Sequence, residues 1–182
     1  MNFTKYFDGS VLVLEPKFFS DERGFFLETF NSSVYLDLLG NDAKFVQDNH
    51  SRSKKNVLRG LHMQAPPFSQ GKLVRVSKGS VLDVVVDFRL GSETFGEYLS
   101  VVLSDKNHKQ IWIPKGFGHG FLCLEDDTDF CYKVSDFYNK DSEITVSYDD
   151  PSIGINWPGD NFTISQSDKA GIKISELAKI GS

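Results

Sequence analysis

The sequence predicts an all-β domain, an antiparallel sandwich or barrel. Two observations carry this. Aromatic residues are in excess, with 16 Phe, 6 Tyr and 2 Trp among 182 residues. Many stand next to Val, Ile or Thr, company that favours pleated, half-buried strands over helices. Strand-like runs also follow one another in quick succession, joined by short linkers that carry Gly, Pro, Asp or Asn, as antiparallel sheets require and βαβ units do not. The length suits one domain, residues 1–182, with a core of real size. A hydrophobic share of 40% and a charged share of 25% are ordinary for a globular chain. The sequence shows no internal repeat and no low-complexity tract.

In chain order, VLVLEPKFFSDERGFFLETF (11–30) reads as two apolar arms around the turn Ser20 to Gly24, a hairpin with Arg23 at its tip. Asn31-Ser32-Ser33 can cap a short helix through VYLDLLG, with Gly40 just past its end. Strands are then predicted at KFVQDN, VLRGLHM, KLVRVS, SVLDVVVDFRL, EYLSVVLS, KQIWIP, HGFLCLE, DFCYKVS and EITVSYDD, and the tail SDKAGIKISELAKI allows one more short helix. Cys123 and Cys131 lie symmetrically about Asp127, a spacing that would let them face each other across a hairpin, and two buried, reduced thiols are the expectation.

The net charge of −5 and a pI near 5.3 argue against a general nucleic-acid binder, which needs clustered positive charge. The start MNFTKYFDGS has no basic segment leading into an apolar run, and no stretch approaches a membrane span, so a cytoplasmic protein without membrane contact is expected. Any anion must therefore be bound locally. QDNHSRSKKNVLRGLHMQ (47–64) gathers the donors to do so. Alternation along Val57 to His62 sets Arg59 and His62 on opposite faces of a strand, and both reach one pocket if Gly60 forms a bulge. The same rule puts Lys72 on the face of Val74 and Val76, and Tyr132 on the face of Phe130 and Val134. A charge or a phenol among apolar residues needs a partner or a purpose. The plain partner for Lys72 is a carboxylate such as Asp83. His50 and His108 read as surface residues, and Arg52, Lys54 and Lys55 as solvated charge.

Pro114-x-Gly116-x-x-His119 in IWIPKGFGHGF resembles the second motif of the cupins, double-stranded β-helix (jelly-roll) barrels. Their first motif, a pair of histidines one residue apart, falls at His62-Met63-Gln64, where only the first histidine stands. Gln64 in place of the second ligand points to a cupin without a metal or other cofactor, and leaves a metal-dependent cupin oxygenase as the weaker reading. DERGFFLETF, QDNHSRSKKNVLRGLHMQ, QGKLVRVSKGSVLDVVVDFR, IPKGFGHGF, YKVSDFY and ISQSDK, in this order over essentially the whole chain, resemble the dTDP-4-dehydrorhamnose 3,5-epimerases.

The resemblance implies a cytoplasmic homodimer of cupin-type barrels, with a few short helices, acting on a dTDP-4-keto-6-deoxyhexose. It implies His62 as proton acceptor, Asp168 as its orienting carboxylate, Tyr132 as proton donor and Lys72 at the keto oxygen. Around the nucleotide diphosphate it implies Arg23, Phe26 and Glu28 from the N-terminal hairpin (about 11–30), which crosses to the partner subunit. Gln47, Asn49, Arg59, His119, Glu143 and Lys169 complete that set, with Tyr138 stacking on the thymine. Met63 departs from the aromatic common after the catalytic histidine.

The chemistry suits these residue types. A C4 ketone acidifies the hydrogens on C3 and C5, and inverting either centre needs a base on one face of the ring and an acid on the other. An imidazole with an unperturbed pKa of ~6.5 serves as the base. A phenol supplies the opposite proton, and a neighbouring cation would lower its pKa and ease the donation. An ammonium stabilises the enolate oxygen. Two alternatives stand beside the double inversion: an epimerase of C3 alone or C5 alone, and a catalytically silent sugar-nucleotide-binding barrel.

Overall fold

The computed structural model describes residues 1–180. Among the described residues, thirteen strands form two large antiparallel sheets and one small one. The six-stranded sheet runs, in spatial order, β1 (Asn2–Tyr6), β2 (Val11–Glu15), β10 (Gln110–Ile113), β7 (Lys72–Lys78), β12 (Thr128–Val134) and β5 (Gln47–Ser53). The five-stranded sheet runs β13 (Glu143–Thr145), β6 (Leu58–Gln64), β11 (Phe117–Cys123), β8 (Ser80–Asp87) and β9 (Tyr98–Ser104). β3 (Phe18–Asp21) and β4 (Gly24–Leu27) make a separate hairpin. Among the described residues no helix is long and apolar enough to cross a membrane.

The two large sheets close on a shared core, to which the six-stranded sheet gives Val13, Val74, Ile111 and Phe130 and the five-stranded sheet Val81, Val85, Phe121 and Cys123. Their outer faces are covered as well. Leu12, Leu14, Leu73 and Trp112 pack beneath helix α1 (Ser32–Leu39) through its buried Tyr35. Leu58, Leu61, Val84 and Val86 pack beneath the C-terminal segment through Trp157, Ile174 and Leu177. Burial on both faces explains why VLVLE and SVLDVVVD read as continuous apolar runs rather than as alternating ones. This is the all-β, cupin-type barrel with short helices that the sequence predicts.

Helix α1 matches its signals. The Asn31 side chain accepts from Ser33 N–H, and Gly40 closes the helix at φ 67° with its N–H donating to Leu36 O. Several expectations need correction. The N-terminal hairpin spans Phe18–Leu27 rather than 11–30, because Pro16 separates β2, which joins the six-stranded sheet, from the β3–β4 pair, whose Phe18 stacks on His108 at 4.4 Å. Strand β1 escaped notice because its residues are all exposed at a sheet edge. β5 reaches Ser53 although its second half is wholly polar, and Arg52 within it, exposed as expected, is in addition paired, its Nε and Nη2 each donating to Asp129 at 2.8 Å. The tail holds two short helices, α2 (Gln166–Lys169) and α3 (Leu177–Ile180). Cys123 and Cys131 are free but do not face each other. β11 and β12 belong to different sheets, and Cys131 is only half-buried.

Candidate active site

β6 carries the pivot. Its register against β11 pairs His62 with His119 and Arg59 with Phe121, so Gly60 and Leu61 together oppose Gly120. This is the bulge the spacing required. Only glycine suits the position. Gly60 has φ 119°, and a Cβ there would lie 2.5 Å from Gly120 Cα and 2.7 Å from His119 O. The extra residue turns Arg59 and His62 toward the same cavity, of about 310 Å³, whose walls also include Asn49, Lys72, His119 and Tyr132. Phe121 and Phe130, stacked at 3.9 Å, form an apolar part of the wall.

His62 Nε2 meets Asp168 Oδ1 at 2.6 Å. With the ring neutral, Nε2–H donates to the carboxylate and Nδ1 keeps the lone pair. Asp168 is nearly buried on α2, where Ser165 Oγ accepts from its N–H, and its second oxygen accepts from Gly60 N–H at 3.4 Å. Burial works against its charge, yet the His62 ring and the Gly60 and Ser165 contacts outweigh that and hold its pKa below the ordinary carboxylate value. The segment bearing α2 is pinned at both ends by parallel bridges, Thr163 to Val57 and Ile172 to Val146, so a residue distant in sequence is fixed against β6.

Lys72 does not take Asp83 as a hydrogen-bond partner. Asp83 Oδ2 is 2.9 Å from His119 Nε2, while Lys72 Nζ donates to His62 O at 3.4 Å. Burial pushes Lys72 down to about 8 against the opposing pull of Asp83 and Glu143. His119, expected among the phosphate ligands, is buried and bonded to Asp83, and burial lowers its pKa. Tyr132 stands on the face of Phe130 as alternation demands. Burial raises the phenol's pKa, Glu143 adds to the rise and Arg59 opposes it, so the easing by a neighbouring cation is outweighed.

Arg59 Nη2 donates to Ser53 Oγ at 3.2 Å, and Gln47 Nε2 to Asn49 Oδ1 at 2.8 Å, so Arg59 and Asn49, which line the cavity, are each bonded to a β5 residue outside its lining. Outside the lining, the Tyr138 phenol donates to Glu143 Oε2 at 2.6 Å, and Lys169 follows Asp168 on α2. Arg23, Phe26 and Glu28 are not brought to this cavity within one chain. Arg23 is 85% exposed at the hairpin tip and bonds Asp21 at 2.5 Å, Phe26 is 69% exposed, and Glu28 accepts from Asn31 Nδ2 at 3.2 Å. His50 is exposed, as its reading as a surface residue expects, while it also borders the cavity and pairs with Asp129 at 3.0 Å.

Gln64 spends its amide on backbone groups of two loops. Among the described residues no group of three or more His, Cys, Asp or Glu is placed to share a metal ion. Gln64, Ser53 and Asp83 are contributors the sequence did not reveal as such. Asp83 was legible only as a partner for Lys72, since its actual partner depended on which strand lay beside β8.

A sequence model of the family described as dTDP-4-dehydrorhamnose 3,5-epimerase matches residues 8–176. The dTDP-4-dehydrorhamnose 3,5-epimerase of Shigella flexneri is 50% identical over 173 residues, 95% of this chain and 96% of that one. The crystal structure of dTDP-6-deoxy-D-glucose-3,5-epimerase from Legionella pneumophila, in complex with dTDP-4-keto-L-rhamnose, superposes with a TM-score of 0.92 at 48% identity, over 97% of this chain and 96% of that one. ChmJ, a 3'-monoepimerase from Streptomyces bikiniensis in complex with dTDP-quinovose, gives a TM-score of 0.90 at 32% identity, over 95% of this chain and 88% of that one. Matched over nearly its whole length in sequence and in fold, the chain belongs to the dTDP-4-dehydrorhamnose 3,5-epimerase family.

Proposed function

We propose that the protein inverts C3 and C5 of dTDP-4-keto-6-deoxy-D-glucose to give dTDP-4-keto-L-rhamnose. The observation that carries this reading is the His62–Asp168 pair at 2.6 Å on the wall of a cavity that Lys72 and Tyr132 also line. His62 Nδ1 takes the proton alpha to the C4 ketone, and Asp168 holds the ring and stabilises the imidazolium that forms. The electron pair moves onto the C4 oxygen, where the Lys72 ammonium meets the developing charge. Tyr132, kept protonated by burial, returns a proton to the carbanion from the opposite face, and a second round inverts the other centre.

Arg59 holds the diphosphate, and binding energy from that remote group places C3 and C5 before His62. Gln47, Asn49, His119, Glu143 and Lys169 complete the nucleotide and sugar contacts, and Tyr138 stacks on the base. The hairpin supplies the rest from a second copy of the chain. Phe18, Phe19, Phe25 and Phe26 are all exposed on it, a concentration of apolar surface that calls for a partner. Docked there, it delivers Arg23, Phe26 and Glu28 to the neighbour's cavity. The dimer is set in the cytoplasm, where nucleotide sugars are made.

Proton NMR of dTDP-4-keto-6-deoxy-D-glucose incubated with the protein in D₂O tests the reading. Loss of both the C3 and the C5 signals is expected. Loss at one carbon would make the protein a single-centre epimerase like ChmJ, and loss at neither, with dTDP still bound, would make it a silent binder.

A further inference from the structure

The run between β12 and β13 carries Tyr138, and the backbone on both sides of that residue is held by two glutamine amides. Gln64, the last residue of β6 and 6% exposed, donates from Nε2 to Phe137 O at 3.3 Å and to Phe68 O at 2.5 Å, and its Oε1 accepts from Asn139 N–H at 2.8 Å. Gln70 Nε2 donates to Asp136 O at 2.8 Å. Beside it, Gly71 N–H donates to Ser135 Oγ at 2.8 Å and Ser135 N–H donates back to Gly71 O at 3.0 Å. Residues 135, 136, 137 and 139 are thus each tied to the segment 64–71. Tyr138 projects between them, 55% exposed, with its hydroxyl fixed on Glu143, which itself pairs with Gln64 across β6 and β13.

The residue type fits the task. Two carbonyls and one N–H converge on the Gln64 side chain, and a primary amide offers two N–H groups and one carbonyl oxygen at a single point, whereas a neutral imidazole offers one N–H. A glutamine at this position therefore ties two loops together where a histidine could not. An exposed tyrosine on an unrestrained loop must be ordered when a ligand stacks on it, and that cost comes off the affinity. A loop held on both flanks has met the cost before the ligand arrives.

We infer that Gln64 and Gln70 are positioning residues, a latch that presets the Tyr138 ring for the nucleobase and so sets nucleotide affinity without touching the nucleotide. The inference rests on the reading of Tyr138 as the stacking platform. It also places the latch's effect on binding, with the chemical step left to His62, Lys72 and Tyr132.

Double-mutant cycles on dTDP affinity, measured by calorimetry, test it with Gln64→Leu, Gln70→Leu, Tyr138→Ala and each Gln variant combined with Tyr138→Ala. Tyr138→Ala is expected to weaken dTDP by roughly tenfold, within the range of base–aromatic stacking. Gln64→Leu should weaken it by about fivefold and Gln70→Leu by about threefold, and each should add less than about twofold in the Tyr138→Ala background. With the keto-sugar, the Gln variants should raise KM and spare kcat. Equal losses with and without Tyr138 would show general loosening and overturn the latch, as would unchanged affinity in the Gln variants beside a weakened Tyr138→Ala. Unchanged affinity in Tyr138→Ala itself would instead remove the stacking reading, and the latch with it. If Gln64→Leu fails to fold, Gln70→Leu, which removes one bond from a half-exposed side chain, decides the matter alone.

Discussion

Lys72 and Tyr132 are tuned in opposite senses by the same burial. Burial disfavours whichever form is charged, so it lowers the ammonium, to about 8, and raises the phenol. Over the range in which Lys72 is cationic, Tyr132 therefore stays protonated, which is the pair of states an enolate needs. The sign for activity follows directly. The oxyanion stabilisation proposed for Lys72 would be present below pH 8 and lost as the pH rises through that value, so kcat/KM should fall above about pH 8 with a slope approaching tenfold per unit. In Lys72→Met that alkaline limb should disappear and kcat should drop by ~10²-fold or more. A pH–rate profile of both proteins checks this, and an unchanged alkaline limb in the variant would assign it to another group. Tyr132→Phe should slow inversion by ~10²–10⁴-fold while solvent deuterium still enters the substrate, because His62 can return the proton to the face it came from. By residue pattern these two side chains were legible only as a lysine and a tyrosine among apolar residues. The direction of the phenol's shift was not, since it depends on how deeply β12 is covered.

At the scale of elements, the bulge in β6 brings Arg59 and His62 to one cavity. It was readable because two functional residues at the wrong parity flanked a glycine. Gly60→Ala places a Cβ against Gly120 Cα and His119 O at a φ that L residues rarely adopt, and should cost about 2 kcal/mol or more. Thermal unfolding measures that cost, and a melting temperature equal to wild type would show that β6 and β11 can part without penalty. β5 was half hidden for a physical reason. The face that carries the cavity residues Asn49 and Ser51, together with Gln47 and Ser53, is polar, so β5 lacks the apolar alternation by which strands are recognised. The hairpin was seen but drawn too long, since the periodicity of β2 runs on across Pro16 into β3.

The hairpin's proposed exchange has its own test. Arg23→Ala and His62→Asn subunits, each inactive as homodimers, should regain activity when co-refolded, because one site of the mixed dimer pairs an intact cavity with an intact hairpin. Recovery of up to about half the activity per mixed dimer is expected. No recovery in a verified mixed dimer would mean that Arg23 serves its own chain or none.

For the whole molecule, aromatic and β-branched runs with short linkers sufficed to predict two stacked antiparallel sheets, because both sheets bury both faces and so leave long apolar strings. What one strand run cannot tell is its neighbour in space. That is why Cys123 and Cys131, symmetric about a turn, lie in different sheets, and why Asp83 belongs to His119 rather than to Lys72 by hydrogen bonding. Likewise Asp168 lies 106 residues from His62 in sequence, and its placement follows from two parallel bridges between the tail and the sheet edges, which no local pattern announces.

The proposed mechanism turns on His62 as the base. The rates of C3 and C5 deuterium incorporation into dTDP-4-keto-6-deoxy-D-glucose by wild type and His62→Asn, with dTDP affinity measured on both, test it most directly. Unchanged dTDP affinity with exchange slowed at both carbons by ~10³-fold or more is predicted, the scale of a lost general base. Exchange within a few-fold of wild type in His62→Asn would contradict it and move the proton transfer to another residue of the cavity.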